Sequence, residues 1–328
     1  MLHQKETYFL IIKSGDLSGV GECGVFRGLS CDDRPDYEEK LAWLCKHIHW
    51  GFEKLYPELI EFPSIQFGLE QAFLSLKAKN SFELFPSEFS RGKDHISING
   101  LIWMGDEQFM KEQISEKLEA GFTTLKMKIG AIDFRTELDI LQSIRKDYSP
   151  SQLELRVDAN GAFTEKDAMS KLRQLATFEI HSIEQPVKAG QWGLMTDLCK
   201  VSPIPIALDE ELIGILRAEE KRAMLKKIQP QFIILKPSLI GGFQGSKDWI
   251  EIAEDLGIGW WITSALESNI GLNAIAQFCY TLKNVMPQGL GTGSLFDNNI
   301  NSPLYVSEGA LHYDPKQKWG DLVDFLGE

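Results

Sequence analysis

A chain of 328 residues is too long for one ordinary domain, and with 43% hydrophobic and 25% charged residues it has the composition of a folded globular protein with a large core. Its formal charge of −13 argues against nucleic acid or an anionic membrane as partner, so an anionic small substrate would need a local positive site or a metal. Five scattered cysteines without a C-x-x-C pair indicate neither a disulfide framework nor a zinc site, and no apolar run approaches the ~18 residues of a membrane span, so a reducing cytoplasmic setting is expected.

Residues 8–12 and 20–23 read as strands around the turn composition Ser14-Gly15-Asp16, which predicts a hairpin. The first of these runs is too short, and lacks the basic flank, for an export signal. Next comes the loop Gly24-Val25-Phe26-Arg27-Gly28-Leu29-Ser30, with an aromatic and a basic residue at its tip. Such a loop can carry specificity or be a plain connector. Residues 37–56 and 66–79 show helical spacing, as in Leu41, Leu44, Cys45 and Ile48, then Phe67, Ala72 and Leu76. Strands followed by helices predict an α+β domain over residues 1–94. His47 and His49 are two apart and cannot form the i, i+4 metal pair, so both read as structural.

From residue 95 to 300 the pattern becomes short apolar strand, then amphipathic helix. Strands are expected at 96–103, 123–129, 153–157, 181–183, 204–208, 232–235 and 260–263, with helices such as 106–120, 165–175, 191–198 and 247–256 between them. Alternation this regular predicts a parallel sheet, and this many units favours an α/β fold of the (β/α)-barrel type, a TIM barrel.

The strand ends carry the chemistry. Lys128, Asp158, Glu184, Asp209, Lys236 and Ser264 close successive strands at gaps of 30, 26, 25, 27 and 28 residues, about one β/α unit each. Each unit therefore delivers a polar residue to the rim where barrel enzymes place their sites. The run Leu125-Lys126-Met127-Lys128-Ile129-Gly130 puts Lys126 and Lys128 on one face, which by itself would equally suit a solvated edge strand. Asp158, Glu184 and Asp209 from three adjacent strands cannot share a low-dielectric mouth as carboxylates without a cation. An all-oxygen set suits Mg²⁺. Lys128 and Lys236 would face each other across it, an arrangement for removing a proton from carbon beside a carboxylate. Asp209, Glu210 and Glu211 form an acidic triplet, from which only the spacing selects Asp209.

These residues resemble the enolase superfamily in its muconate-cycloisomerase-like branch. The matching segments are Thr124-Leu125-Lys126-Met127-Lys128, Arg156-Val157-Asp158-Ala159-Asn160-Gly161, Ile183-Glu184-Gln185-Pro186, Ala207-Leu208-Asp209-Glu210, Leu235-Lys236-Pro237 with Gly241-Gly242, and Ser264-Ala265-Leu266-Glu267-Ser268. The resemblance implies a modified TIM barrel, with the first domain as its cap and residues 301–328 returning to that cap. Gly21-Glu22-Cys23, Gly28-Leu29-Ser30, the run Ile98-Asn99-Gly100-Leu101-Ile102-Trp103-Met104-Gly105 and Gly289-Leu290-Gly291-Thr292-Gly293 are similar, more narrowly, to members of that branch in menaquinone biosynthesis. That implies Mg²⁺-dependent dehydration of 2-succinyl-6-hydroxy-2,4-cyclohexadiene-1-carboxylate to the aromatic o-succinylbenzoate.

By that resemblance Lys128 is the base and Lys236 stabilises the enediolate from the opposite face. Lys126 helps Lys128 lose its proton and holds the substrate carboxylate, although a purely structural ion pair suits it equally. Asn160 and Glu210 orient metal ligands. Ser264, Glu267, Ser268, Gly291 and Thr292 line the rim for succinyl or carboxylate oxygens, unless Glu267 caps the next helix. Arg27 is either a substrate gate or a solvated residue. Asp297 and Asn298 read as loop. The implied partner is a small-molecule carboxylate, with no nucleic acid and no membrane. Racemases of N-succinylamino acids and dipeptide epimerases share both lysines, but the epimerases carry an Asp-x-Asp where this chain reads Gly289-Leu290-Gly291-Thr292-Gly293. Muconate cycloisomerisation and a barrel that binds without turnover complete the alternatives.

Overall fold

The computed structural model describes residues 5–322; the outer ends of the expected first and returning segments, 1–4 and 323–328, lie outside the described residues. The chain opens with the expected hairpin, β1 (Tyr8–Ser14) and β2 (Leu17–Cys23), paired antiparallel from Tyr8↔Cys23 to Ser14↔Leu17. Gly15, at φ +58, supplies the positive φ that a two-residue hairpin turn needs. The expected helix over 37–56 is two helices, α1 (Tyr37–His47) and α2 (Phe52–Glu58). Gly51 at φ +78 turns the chain between them, and a helix cannot pass through that conformation. His47 stacks on Trp43 and meets Trp50 edge-on, a structural setting for it.

Helix α3 (Pro63–Lys77) starts with proline in its first turn, three residues before the expected 66. Strand β2 lies directly on it. A Cβ added to Gly21 would fall 2.0 Å from the Gly68 carbonyl oxygen, and one added to Gly19 would fall 2.3 Å from that of Ala72. The glycines of β2 therefore let strand and helix backbones touch, and a second core forms behind them from Leu10, Ile12, Leu44, Leu55, Ile65 and Leu69.

The repeat that follows is a set of β/α units. Strand β3 (Ile96–Ser97) breaks from β4 (Gly100–Ile102), so the expected strand 96–103 is two pieces. Then come α4 (Glu107–Glu119), β5 (Thr124–Lys128), α5 (Phe134–Asp147), β6 (Glu154–Asp158), α6 (Ala168–Leu175), β7 (Ser182–Glu184) and α7 (Trp192–Val201). The series continues with β8 (Ile206–Leu208), α8 (Ala218–Ile228), β9 (Phe232–Leu235), α9 (Gly242–Asp255), β10 (Gly259–Ile262) and α10 (Asn269–Thr281). The seven strands β4 to β10 form one parallel sheet in sequence order, as right-handed crossovers to the next neighbour require.

Residues 288 and 289 make no ladder but single parallel bridges, Gln288 to Ile98 and Gly289 to Thr263, so this segment contacts both edges of the sheet. Where an eighth strand would close a TIM barrel, the chain makes only those two bridges. Strand β11 (Leu304–Ser307) pairs with β12 (Ala310–Tyr313), and β12 with β3, in a separate antiparallel sheet, and Trp319 stacks on Phe82. Among the described residues no helix is long and apolar enough to cross a membrane.

Two carboxylates fasten the segment from β1 to α3 to helices of the β/α units. Glu70 of α3 accepts from the backbone N–H groups of Phe243 and Gln244 in the first turn of α9, and Glu22 of β2 serves the first turn of α10. Both positions use the partial positive charge of a helix N-terminus. Burial pushes the Glu70 carboxyl up to about 8, against the lowering effect of its two N–H donors. The folded chain thus keeps a proton that the unfolded chain releases above its ordinary value of about 4.5. Glu70's contribution to stability is therefore complete below that value and is lost as the pH rises through about 8. Denaturant titrations are expected to show stability falling by order 1 kcal/mol per pH unit across this window. In Glu70→Gln that slope should flatten; an unchanged slope would assign it to another group.

Candidate active site

The strand-end residues converge as the spacing predicts. Lys128, Asp158 and Glu184 are the last residues of β5, β6 and β7, while Asp209 and Lys236 follow β8 and β9 by one residue. The register aligns Lys128 with Asp158 and Asp158 with Glu184, so these three side chains share one face at one level. Asp158, Glu184 and Asp209 are each no more than 2% exposed.

Ammonium groups sit on these acids. Lys126 Nζ lies 3.0 Å from Asp158 Oδ2 and against Glu184 Oε2, and Lys236 lies against Asp209 Oδ2. Lys128 Nζ donates to Asp158 Oδ2 at 3.1 Å and to Asn160 Oδ1 at 2.6 Å, with the Trp103 ring centroid 5.8 Å away. Asn160 in turn donates from Nδ2 to Glu210 Oε1 at 2.9 Å, holding an αL-like backbone at φ +42. Burial opposes ionisation of Asp158, yet Lys126, Lys128 and Lys236 hold its carboxyl well below the usual range. Burial, with Asp158 beside it, pushes Glu184 well above that range. Burial also disfavours charge on Lys126 and Lys236, but Asp158 and Glu184 around the first, and Asp209 and Glu184 around the second, hold both above the ordinary lysine value.

Among the described residues no three acidic, imidazole or thiol groups stand together as a ready cage; the lysines provide the compensating charge. The donor set nevertheless fits a small hard cation. Asp158, Glu184 and Asp209 offer only carboxylate oxygens; Glu184 Oε1 and Glu210 Oε2 have no hydrogen-bond partner, and Glu184 Oε2 meets only the Lys126 ammonium.

A cavity of about 190 Å³ opens above this cluster. It is lined by Lys126, Lys128, Asp158, Asn160, Glu210 and Lys236 on one side and by Ser264, Gly291 and Thr292 on another, so nine of the residues singled out in the sequence meet there. Ser264 Oγ and Thr292 Oγ1 are 2.5 Å apart. Glu184 and Asp209 lie behind the lining, in contact with Lys126 and Lys236.

Three expected contacts do not reach the cavity. Arg27 is bound up with its own loop and the start of β1, at 2.8 Å from Asp33 Oδ1, 3.1 Å from Glu6 Oε2 and 3.0 Å from the Tyr8 hydroxyl. Its work is to brace the loop, whose Phe26 and Leu29 line the cavity instead. Glu267 is fully buried and accepts from Ser238 Oγ and from the Ala265 N–H at 2.8 Å. Ser268 caps α10 and donates to Glu22. Asn99, Leu101, Trp103, Thr263 and Leu266 also line the cavity and were not singled out. Asn99, Leu101 and Trp103 alternate on one strand face, a period-two signal readable once Lys126 and Lys128 fix which face is inward.

Residues 109–320 match the model of the enolase C-terminal domain-like family. An o-succinylbenzoate synthase of Desulfotalea psychrophila is 56% identical, over 95% of this chain and 93% of its own length. The L-Ala-D/L-Glu epimerase of Bacillus subtilis is 27% identical over 59% of this chain and 52% of its own. Among solved structures, MenC from Desulfotalea psychrophila superposes with a TM-score of 0.85 at 44% identity, covering 93% of this chain and 94% of that one.

Proposed function

This chain belongs to the enolase superfamily, and from that premise we propose that it dehydrates 2-succinyl-6-hydroxy-2,4-cyclohexadiene-1-carboxylate to o-succinylbenzoate, as a carbon–oxygen lyase of menaquinone biosynthesis. The observation that carries this reading is the 56% identity to an o-succinylbenzoate synthase across nearly the whole chain, joined to a cavity that faces lysines against carboxylates. The same reading takes the seven-stranded sheet as a modified TIM barrel closed through residues 288 and 289, with the first domain as its cap.

Superfamily members use a divalent metal, and here Asp158, Glu184 and Asp209 would hold Mg²⁺. When bound, the ion supplies positive charge toward the substrate carboxylate as negative charge builds there. Lys128 takes the proton from ring carbon 1, and the electron pair of that bond becomes the ring double bond as the carbon 6–oxygen bond breaks. The hydroxide leaves with the proton returned by Lys128, so one water is lost and the ring is aromatic. Lys236, across the cavity, keeps a fixed positive charge by the ring. Lys126 ties Asp158 to Glu184, and Asn160 joins Lys128 to Glu210. Apolar Phe26, Leu29, Leu101, Trp103 and Leu266 keep water from the reacting face.

Proton NMR in D₂O tests this. Mg²⁺-dependent appearance of aromatic protons, abolished by a chelator and restored by Mg²⁺, is the expected result. Deuterium exchange at the α-carbon of N-succinyl amino acids or dipeptides without aromatisation would replace dehydration by racemisation.

A further inference from the structure

The catalytic cavity contains a polar group that the mechanism leaves idle. Asn99 is 5% exposed and lines the cavity, yet its Oδ1 is buried without a hydrogen-bond partner. Its backbone N–H donates to the Gln288 carbonyl at 3.0 Å, which holds the residue at the sheet edge. The residue therefore stands in the cavity wall with its Oδ1 unpaired. A buried amide left unpaired is costly, and such groups in native proteins are satisfied by something. A carboxamide can present either end by a half-turn, so Asn99 can accept from a ligand or donate to it.

Its position gives the ligand's chemistry. The cavity has two poles. Lys126, Lys128, Lys236, Asp158, Asn160 and Glu210 make an ionic pole, at the ends of β5, β6, β8 and β9. The other pole is neutral and hydrogen-bonding: Asn99 before β4, Thr263 and Ser264 after β10, and Thr292 paired with Ser264. The ring carboxylate and the carbon that loses its proton belong at the ionic pole, because the base is there. A substituent on the adjacent ring carbon then extends toward the neutral pole.

We infer that Asn99 is a substrate-positioning residue whose carboxamide donates to an oxygen of the succinyl arm, beside the Ser264–Thr292 hydroxyl pair. This rests on the dehydratase reading of the site. Asn99 makes no contact with the carboxylates of the ionic pole that the structure records, so its loss should weaken binding of the arm rather than the proton transfer. Discrimination between the arm and a substrate lacking it follows, because an apolar residue here would not distinguish them.

The experiment compares wild type with Asn99→Leu and Asn99→Thr in Mg²⁺ buffer. Thermal unfolding, steady-state kinetics with the cyclohexadiene carboxylate, and calorimetric binding of o-succinylbenzoate and of benzoate are measured on each. Asn99→Leu is expected to melt no lower than wild type, since it removes an unpaired buried amide. Its KM and its dissociation constant for o-succinylbenzoate should rise at least tenfold, with kcat changing less and benzoate binding unchanged. Asn99→Thr, which keeps a donor, should recover part of the loss. A lower melting temperature with KM unaltered would make Asn99 structural and overturn the inference. Equal weakening of benzoate would do the same by placing the contact at the ring carboxylate. Wild type that fails to aromatise the substrate would overturn the dehydratase reading itself, whereas active wild type and an Asn99→Leu enzyme of equal KM would overturn this inference alone.

Discussion

Lys128→Ala should lower kcat/KM for aromatisation by roughly 10²–10⁴-fold, the contribution of a positioned general base. Its side chain is 15% exposed and that of Lys236 14%, against 8% for Lys126, so two of the three ammonium groups reach the cavity more fully. Lys128 also has the hydrogen bonds to Asp158 and Asn160 that fix its direction. Removal alone does not separate base from fixed charge, since either loss slows the reaction. Lys128→Arg does. A guanidinium keeps a positive charge near Asp158 but does not give up its proton near neutral pH. The arginine variant is therefore expected to be about as slow as the alanine variant, with unchanged far-ultraviolet circular dichroism. Retention of more than a tenth of wild-type rate by Lys128→Arg would make Lys128 an electrostatic group and move the base to Lys236.

The site was legible where a period carried it. One polar residue per β/α unit, each directly after buried apolar residues, placed Lys128, Asp158, Glu184, Asp209 and Lys236 together because a parallel sheet in sequence order must bring such positions to one rim. What the period could not carry was any group acting through the tertiary fold. Glu22 and Glu70 look like ordinary strand and helix acids; their partners lie 246 and 173 residues away. Arg27 at a loop tip left a gate and a solvated residue equally open, and acids at 6 and 33 and the Tyr8 hydroxyl hold it away from the cavity. The acidic residues following it in the sequence, Asp32 and Asp33, were the available warning. One helix boundary shifted for a tertiary reason: α9 begins at Gly242, five residues before 247, because Glu70 supplies the acceptor for its first N–H groups. No sequence pattern marks such a remote cap.

Glu22→Ala should cost about 3–5 kcal/mol of stability. Its carboxylate accepts four hydrogen bonds: from Thr7 Oγ1 at 3.0 Å, Ser268 N–H at 3.0 Å, Ser268 Oγ at 2.6 Å and Gly271 N–H at 3.0 Å. Alanine leaves the Ser268 and Gly271 donors buried without their acceptor, while half-buried Thr7 keeps the Cys23 carbonyl at 3.4 Å, and each unmade bond to a buried donor costs about 1–3 kcal/mol before partial relaxation. A Cβ on Gly271 would lie 2.7 Å from Glu22 Oε2, so the helix end and the acid are in contact, with little room to repack around a charged replacement. The effect should also reach the cavity. The turn from 264 to 268 holds Leu266 at φ +60, a conformation that costs a leucine energy, and directs it into the cavity lining. Glu22 secures the far end of that turn through Ser268, and Glu267 secures its middle through the Ala265 N–H. Released at one end, the turn can relax toward ordinary φ and withdraw Leu266. Thermal unfolding of Glu22→Ala is expected about 5–10 °C below wild type, with KM raised at temperatures where the variant is fully folded. Glu22→Gln, which keeps the shape and one carbonyl acceptor, should lose less than half as much. A Glu22→Ala melting temperature within a degree or two of wild type would mean that the four bonds are replaced by water at no cost, and the segment from β1 to α3 would then be held to α9 and α10 by apolar packing and Glu70.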